Sequence, residues 1–406
     1  MTSIQPPQEA SPPERAGGAS TDPSTGRLVG VDLARALAVF GMYTVHVGPP
    51  LSATHGVGSW IRYLADGRSS VLFATLAGFS LMLIAGRRQP KTGRAGRRAK
   101  ARIAIRAVVL IALGTVMAIF YGDVVILAFY GVYFLLAIPL TRLRAETLAI
   151  IATALALTTP QLAFVLKSLL SEPIQQAFDA YDPLKQLSGV GVLDLLLTGL
   201  YPTITWMPFV IAGMALARLD LALGTVRARV AALGATLTVL GYGLSRLLGG
   251  PDALRSTAES GPPDPGSGSL PPPGDGAFTA QGPVSSLLMA GPHSGTTFDI
   301  VGSLGVAILV IVGATAAMDR LPRLRRLATP IIAVGTMSLT AYVGHFVGMS
   351  ALALMPDDET SQTSWTPLLL FILAAVLFAT IWFRFFRRGP LEYLLNTATQ
   401  PAKHLR

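Results

Sequence analysis

Three ionisable residues lie in the first long apolar stretch of the chain, where such side chains are rare. They are Asp32, Arg35 and His46. An ionisable side chain at membrane depth costs a few kcal/mol, so each of the three is a candidate functional residue. Asp32 and Arg35 are three residues apart, which predicts an ion pair on one face of a helix.

The spacing of Arg35 and His46 predicts that both side chains follow one face of that helix. His46 is eleven positions after Arg35, and eleven steps of 100° fall ~20° from three full turns, with a rise of ~16.5 Å. Arg35 is then expected in the inner half of the bilayer and His46 near its outer surface. The alternative is an ordinary helix–helix packing pair in which His46 is hydrogen-bonded at the interface.

The connection after this helix holds further candidates. His55 lies in a glycine-rich stretch, and Asp66 precedes Arg68 and Ser69 at the start of the second apolar run. Asp66 can either cap that helix or orient an imidazole for acid–base catalysis. Arg68 and Ser69 are candidates for binding an anionic or carbonyl oxygen of a substrate. His55 is either a second candidate base or a solvated side chain.

Two more histidines are expected on the outer side and are candidates for substrate binding. His293 stands in a Pro-His-Ser-Gly-Thr stretch, and His345 stands in the outer half of the ninth apolar run. Clustered histidines can indicate a metal site. However, the chain has no cysteine and no HxH or HExxH spacing, so no metal site is predicted.

The elements that must position these residues are membrane-spanning helices. Of 406 residues, 51% are hydrophobic and 13% are charged, and soluble domains carry roughly twice that charged fraction. Apolar runs of about 20 residues, each able to cross ~30 Å of hydrocarbon, recur along the chain. The sequence therefore predicts an all-α, polytopic integral membrane protein of about ten transmembrane helices. The predicted helices are 29–48, 69–86, 104–120, 122–141, 147–166, 194–217, 225–247, 299–317, 330–354 and 366–386.

The positive charges predict the orientation of these helices. With the amino terminus in the cytoplasm, the inside segments hold 25 of the 32 Lys and Arg residues and the outside loops hold 6. Cytoplasmic segments of membrane proteins carry such an excess, so both termini are predicted to be cytoplasmic. The basic inside loop 87–106 is either a charge excess against anionic lipid or a binding surface. A nucleic-acid role is not predicted, because no aromatic residue interleaves with its charges.

The predicted organisation is one transmembrane domain between two tails. Residues 1–27 have no apolar core, which indicates a disordered cytoplasmic tail rather than a signal peptide. Residues 28–388 form the membrane domain, and residues 389–406 form a cytoplasmic carboxyl-terminal tail. The outside loops are 49–68, 167–193, which is predicted to be an ordered cap, and 249–297, which is rich in Pro, Gly and Ser and predicted to be mobile.

These residues together resemble a family of membrane enzymes. Asp32, Arg35 and His46 are similar to the R-x10-H signature of the acyltransferase-3 branch of transmembrane acyltransferases. The wider arrangement resembles bacterial relatives of heparan-α-glucosaminide N-acetyltransferase. The segments that carry this resemblance are 27–35, 41–47, 66–78, 201–202, 206–215, 292–296, 337–342 and 389–392.

The resemblance implies an acyltransferase that delivers acetyl from cytoplasmic acetyl-CoA to an amine or hydroxyl on the outer side. His46, oriented by Asp66, would act as general base or transient acyl carrier. The histidine proposed as catalytic in the eukaryotic enzymes lies nearer the place of His55, so both histidines stay candidates. Basic side chains suit the phosphates of CoA, and the residues expected to contribute to that site are Arg35, Asp32, Arg97 and Arg98.

The implied location is the bacterial cytoplasmic membrane, and the implied acceptor is an envelope glycan, a glycolipid or a small molecule. The expected partners are therefore the bilayer and that acceptor, and a homodimer is compatible with the sequence. The competing class is a transporter or flippase of an envelope lipid or small metabolite, because Asp, Arg and His in membranes also build proton relays. A scaffold protein without chemistry would leave the Asp32–Arg35–His46 stripe unexplained.

Overall fold

The computed structural model describes residues 28–254, 284–353 and 364–404. Within these ranges the chain forms α-helices, short 3-10 or π segments and connections, with no β-strand. The all-α class predicted from the sequence is therefore confirmed. The predicted amino-terminal tail 1–27 and most of the predicted mobile loop 249–297 lie outside the described residues.

The helices are numbered in chain order. They are α1 Val29–Val47, α2 Val57–Ala65, α3 Arg68–Ala85, α4 Gly93–Tyr121, α5 Leu127–Ala137, α6 Ala145–Leu169, α7 Glu172–Tyr181, α8 Pro183–Ser188, α9 Thr203–Arg218, α10 Gly224–Gly249, α11 Thr297–Arg320, α12 Pro322–Leu327, α13 Thr329–Thr336, α14 Ser338–Leu352, α15 Thr366–Phe385 and α16 Pro390–Ala398. The predicted cap 167–193 thus contains α7 and α8, the predicted loop 49–68 contains α2, and the predicted tail 389–406 contains α16.

Among the described residues, six helices are long and apolar enough to cross a membrane, namely α3, α4, α6, α10, α11 and α15. The α13–α14 pair makes a seventh if the two count as one span. The predicted spans over α1, α5 and α9 fall outside this set. α5 and α9 are apolar but have only 11 and 16 residues, and α1 carries Asp32 and His46. The chain is a multi-pass membrane protein, and the count of ten spans and the orientation of the termini stay predictions.

The predicted basic loop 87–106 is mostly helical in the structure. α4 begins at Gly93, which is eleven residues before the predicted start at 104. Good helix formers such as Arg and Ala continue the helix beyond the apolar run. As a result, Arg97 and Arg98 lie on the exposed first turns of α4 rather than in a loop.

The ninth predicted span, 330–354, is wrong as a single straight helix, because α13 and α14 meet at 88° around Met337. A Cβ on Gly335 would lie 1.7 Å from the carbonyl oxygen of Asp32, so α13 is held against α1. The carboxylate of Glu392, on α16, accepts hydrogen bonds from the backbone N–H groups of Leu339 at 2.8 Å and Thr340 at 3.2 Å. This carboxylate satisfies donors at the start of α14 that a continuous helix would have bonded internally.

α1 lies at the centre of the described fold and packs against α3, α11 and α13. α3 is in turn fixed by a close crossing with α9. A Cβ on Gly213 would lie 1.8 Å from the carbonyl oxygen of Thr75, and one on Gly78 would lie 1.9 Å from that of Val210. Small residues allow such close backbone approach between membrane helices. The crossing holds α3 beside α1, so that Ser80 of α3 lies next to Arg35 of α1.

Candidate functional site

The amino-terminal end of α1 carries a partly buried ion pair. Arg35 Nη1 donates to Asp32 Oδ1 at 2.6 Å, and Arg35 Nη2 donates to Ser80 Oγ of α3 at 2.8 Å. The pair predicted from the spacing of three residues is therefore present. Because the Arg35 side chain is only 18% exposed, its charge is screened less than that of a surface arginine.

Further basic side chains surround this pair. Arg106 of α4 lies within electrostatic range of Arg35, Arg102, Arg388 and Glu392. Its Nε is buried and has no hydrogen-bond partner in the described part of the chain. A buried guanidinium nitrogen without a partner costs free energy unless a ligand or water fills the position. These arginines therefore form a site suited to an anion.

The carboxyl-terminal end of α1 carries a histidine that pairs with a second histidine. His46 Nδ1 lies 2.9 Å from His345 Nε2 on α14, and the planes of the two rings differ by 18° with their centroids 5.1 Å apart. His345 Nδ1 in turn donates to the backbone carbonyl of Tyr342. The Tyr43 hydroxyl fixes the two helices together by donating to the carbonyl of Ala341 at 2.7 Å.

A second polar group, Arg62, Asp66 and His293, lies beside this pair on α2 and the neighbouring connections. His293 and Arg62 both act electrostatically on His46, and Arg62 Nη1 lies 3.9 Å from Asp66 Oδ2. His293 is held between Trp206, whose ring stacks at 5.9 Å, and Tyr201, whose ring meets it edge-on at 5.4 Å. Arg62 Nε, Arg62 Nη1 and His293 Nδ1 are buried without hydrogen-bond partners among the described residues. The group formed by Arg62, Asp66 and His293 thus contains both hydrogen-bond donors and an acceptor that a polar ligand could engage.

His293 has an unusual backbone and a perturbed imidazole. Its φ is 60°, in the left-handed region that costs a non-glycine residue roughly 1–2 kcal/mol. Burial lowers the pKa of His293, while the Asp66 carboxylate and a hydrogen bond with the backbone of Leu200 oppose that shift. The neutral form is therefore favoured. Since Nδ1 has no partner among the described residues, the bond to Leu200 comes from Nε2, which leaves a lone pair on Nδ1.

The predicted substrate ligands Arg68 and Ser69 both make contacts within the chain. The Arg68 guanidinium lies between the rings of Tyr63 at 4.3 Å and Tyr242 at 4.9 Å, and its Nε donates to the Tyr242 hydroxyl at 3.0 Å. Ser69 Oγ donates to the carbonyl of Ala65 at 2.6 Å. These contacts attach α2 and α3 to α10. Arg68 also lines a cavity together with Trp60 and Tyr242, and substrate binding by Arg68 and Ser69 stays a prediction.

Asp66 and His55, both predicted to take part in catalysis, lie in different surroundings in the structure. The hydrogen-bond partner of His46 is His345, whereas Asp66 lies beside Arg62 and acts on His293. Asp66 ends α2, and Gly67 takes the N-cap position of α3. His55 is exposed and, within the described ranges, has none of the ring contacts made by His46, His293 and His345.

Several residues of these two groups were not singled out from the sequence. Arg102 and Arg106 continue the four-residue spacing of Arg98, which places them on one helical face, so periodicity was an available signal. Arg62 is four residues before Asp66 on α2, a spacing typical of an ion pair. Nothing local in the sequence indicates that His345 contacts His46, because 299 positions separate them.

The described fold is that of a multi-pass membrane protein with two groups of ionisable side chains along α1. The family model for the catalytic domain of heparan-alpha-glucosaminide N-acetyltransferase matches residues 27–242, which is more than half of the chain. The chain therefore belongs to this family, and it is a transmembrane acetyltransferase.

Residues 279–401 match a second model, described as a protein of unknown function (DUF418). No match was found among curated proteins. The first matched region contains Arg35, His46, Arg62 and Asp66. His345 belongs to the second, so the His46–His345 contact joins the two matched regions.

Proposed function

We propose that the protein transfers acetyl from cytoplasmic acetyl-CoA to an amine or hydroxyl of an acceptor at the outer face of the bacterial cytoplasmic membrane. One observation carries the proposal: α1 has a basic, anion-suited site at Arg35 and a histidine pair at His46, eleven residues further along the same helix. A helical rise of ~16.5 Å separates the two residues. One helix thus connects a donor site with a reaction site.

The inner site fits the phosphate groups of CoA. Arginine is suited to phosphate because its planar guanidinium makes paired hydrogen bonds. The unpartnered Arg106 Nε, with Arg35, Arg102 and Arg388 around it, provides donors and positive charge in one place within the described structure. Exposed Arg97 and Arg98 lie on the same helix as Arg106 and can attract the anionic donor before it binds.

The outer site fits proton abstraction from the acceptor. In this mechanism His46 takes the proton of the acceptor N–H or O–H, and the acceptor atom attacks the thioester carbonyl carbon. The C–S bond breaks, and the leaving thiolate takes the proton from His46. In this proposal Arg62, two of whose buried nitrogens make no hydrogen bond within the described chain, stabilises the oxyanion, and His293 Nδ1 accepts a hydrogen bond from the acceptor.

The acceptor is proposed to be an envelope glycan, a glycolipid or a small molecule. Two aromatic rings, Tyr201 and Trp206, hold the His293 side of the pocket. Aromatic faces next to hydrogen-bonding groups are typical of small-molecule sites. This half of the pocket suits a polar acceptor with several hydroxyl or amine groups.

A thiol assay in sealed vesicles tests the proposal directly. The purified protein is reconstituted into these vesicles. Because the chain has no cysteine, a thiol reagent reports only the CoA that the reaction releases. We expect acetyl-CoA to be consumed when it reaches the cytoplasmic face, with glucosamine or a total envelope lipid extract as acceptor. It should not be consumed when it is confined to the outer face.

Two arginine variants make this experiment specific. Arg35→Ala should raise the KM for acetyl-CoA at least about tenfold, because a buried charged hydrogen bond is worth more than the ~1 kcal/mol of a surface pair. The matched control, Arg229→Ala, changes an exposed residue of α10 and should leave KM unchanged. If acetyl-CoA is neither bound nor consumed and a solute instead moves with the proton gradient, a transporter replaces this proposal.

A further inference from the structure

We infer that His345 is a positioning residue that fixes the tautomer of His46, so that His46 presents the lone pair of Nε2 to the acceptor. The inference rests on the proposed function, in which His46 is the base. It concerns a residue that sequence alone suggested as a substrate ligand. The hydrogen bonds that support it run from the backbone of α14 to the histidine of α1.

The chain of hydrogen bonds begins at a group that can only accept. The backbone carbonyl of Tyr342 has no proton to give, so His345 Nδ1 must carry the hydrogen of their bond. In a neutral His345 the other nitrogen, Nε2, then has a lone pair and accepts. His46 Nδ1, which lies 2.9 Å from that atom, must therefore be the donor.

These hydrogen bonds fix the tautomer of His46. With its hydrogen on Nδ1, a neutral His46 has its lone pair on Nε2, and no hydrogen bond within the described residues engages that nitrogen. When His46 takes up a proton during transfer, its Nδ1–H remains bonded to His345 Nε2, which supports the positive charge. Orienting groups in Ser-His-Asp enzymes act on the catalytic imidazole in the same way.

The opposite assignment would require a buried charge. If His46 Nδ1 accepted, His345 would have to donate from both ring nitrogens and would be an imidazolium. His345 is 2% exposed and is packed against the rings of Tyr43, Tyr342 and Phe346. The ionisable groups that act on the pair are Arg62 and His293 beside His46. No carboxylate contacts His345 in the described chain, and an unpaired buried cation is strongly disfavoured.

Two amide substitutions at His345 distinguish a role in orienting His46 from a role in packing alone. His345→Gln places an amide oxygen near the position of Nε2, where it can accept from His46. His345→Asn places its amide near the position of Nδ1, where it reaches the Tyr342 carbonyl but not His46. We expect the Gln variant to keep kcat within about tenfold of the wild type and the Asn variant to lose on the order of 100-fold or more, with the KM for acetyl-CoA unchanged in both.

The tautomer can be read without any activity. The full-length protein in lipid nanodiscs has five histidines, so ¹⁵N side-chain spectra are tractable, and His46→Gln assigns the His46 signals. We expect the hydrogen of His46 on Nδ1 in the wild type and in His345→Gln, and a mixture of tautomers in His345→Asn. Hydrogen on Nε2 of His46 in the wild type, or equal kcat for the two amide variants, would overturn the inference. A wild type that releases no CoA would instead defeat the proposed function and leave the tautomer assignment standing.

Discussion

At the scale of single residues, four histidines differ in the number of contacts that constrain them. His345 is held by a carbonyl and three aromatic rings. His46 is bonded through one nitrogen, and His293 keeps a buried Nδ1 that has no partner among the described residues. His55 is exposed. A base must combine a fixed orientation with an available lone pair, and His46 meets both conditions.

We therefore expect His46→Ala to lower acetyl transfer by ~10²–10⁴-fold, the usual contribution of a general base. Acetyl-CoA should still raise the thermal stability of this variant, since Arg35 and Arg106 are unchanged. His55→Ala should retain most of the wild-type activity. Turnover by each variant in membranes, measured together with thermal stability, checks both expectations. An inactive His55→Ala beside an active His46→Ala would transfer the role of base to His55.

Asp66 should act on the protonation of His293. Burial lowers the pKa of His293, and the Asp66 carboxylate opposes this by favouring the imidazolium. The His293 titration midpoint should thus lie below the ordinary value of about 6.5, and Asp66→Asn should lower it further. Side-chain NMR titration of the two proteins gives both midpoints. A higher midpoint in Asp66→Asn would show that the carboxylate does not act on this ring.

At the scale of helices, the sequence predicts most of the membrane-helix starts within two residues. α1, α3 and α15 begin and end within one residue of the predicted helices, because long apolar runs are strong local signals. The break at Met337 was missed because it depends on long-range contacts. Gly335 meets the backbone of α1, and the carboxylate of Glu392 caps α14. The His46–His345 contact was missed for the same reason.

The close crossing of α3 and α9 predicts that an alanine substitution at Gly213 lowers stability, whereas the same substitution at a glycine with open space around it does not. A Cβ at Gly213 would lie 1.8 Å from a backbone oxygen, so Gly213→Ala must push the two helices apart and should lower the thermal stability sharply. A Cβ added at Gly243, on α10, would meet nothing within 4 Å in the described structure. There alanine should be neutral or stabilising by up to ~1 kcal/mol, its advantage over glycine in a helix. Melting temperatures in one detergent compare the two, and equal shifts would contradict the close crossing.

At the scale of the whole molecule, the proposed function requires that the two polar sites face opposite sides of the membrane. The 25-to-6 distribution of Lys and Arg predicts that the Arg35 end of α1 is cytoplasmic. The structure adds that Arg102, Arg106 and Arg388 lie around that same end. A donor from the cytoplasm and an acceptor from outside can then meet only if the donor reaches the outer part of α1, which makes orientation a condition of the mechanism.

Reporter insertions test this orientation. The best inner site is after Pro90, in the connection before α4 begins at Gly93, because an insertion within the helix would disrupt it. We expect cytoplasmic readings there and at the carboxyl terminus, and an external reading for an insertion in 255–290. The control is an insertion after Ser171, between α6 and α7, which should also read external. A cytoplasmic reading in 255–290 would invert the order of spans after α10. It would place His293, and with it the acceptor pocket, on the same side as the acyl donor.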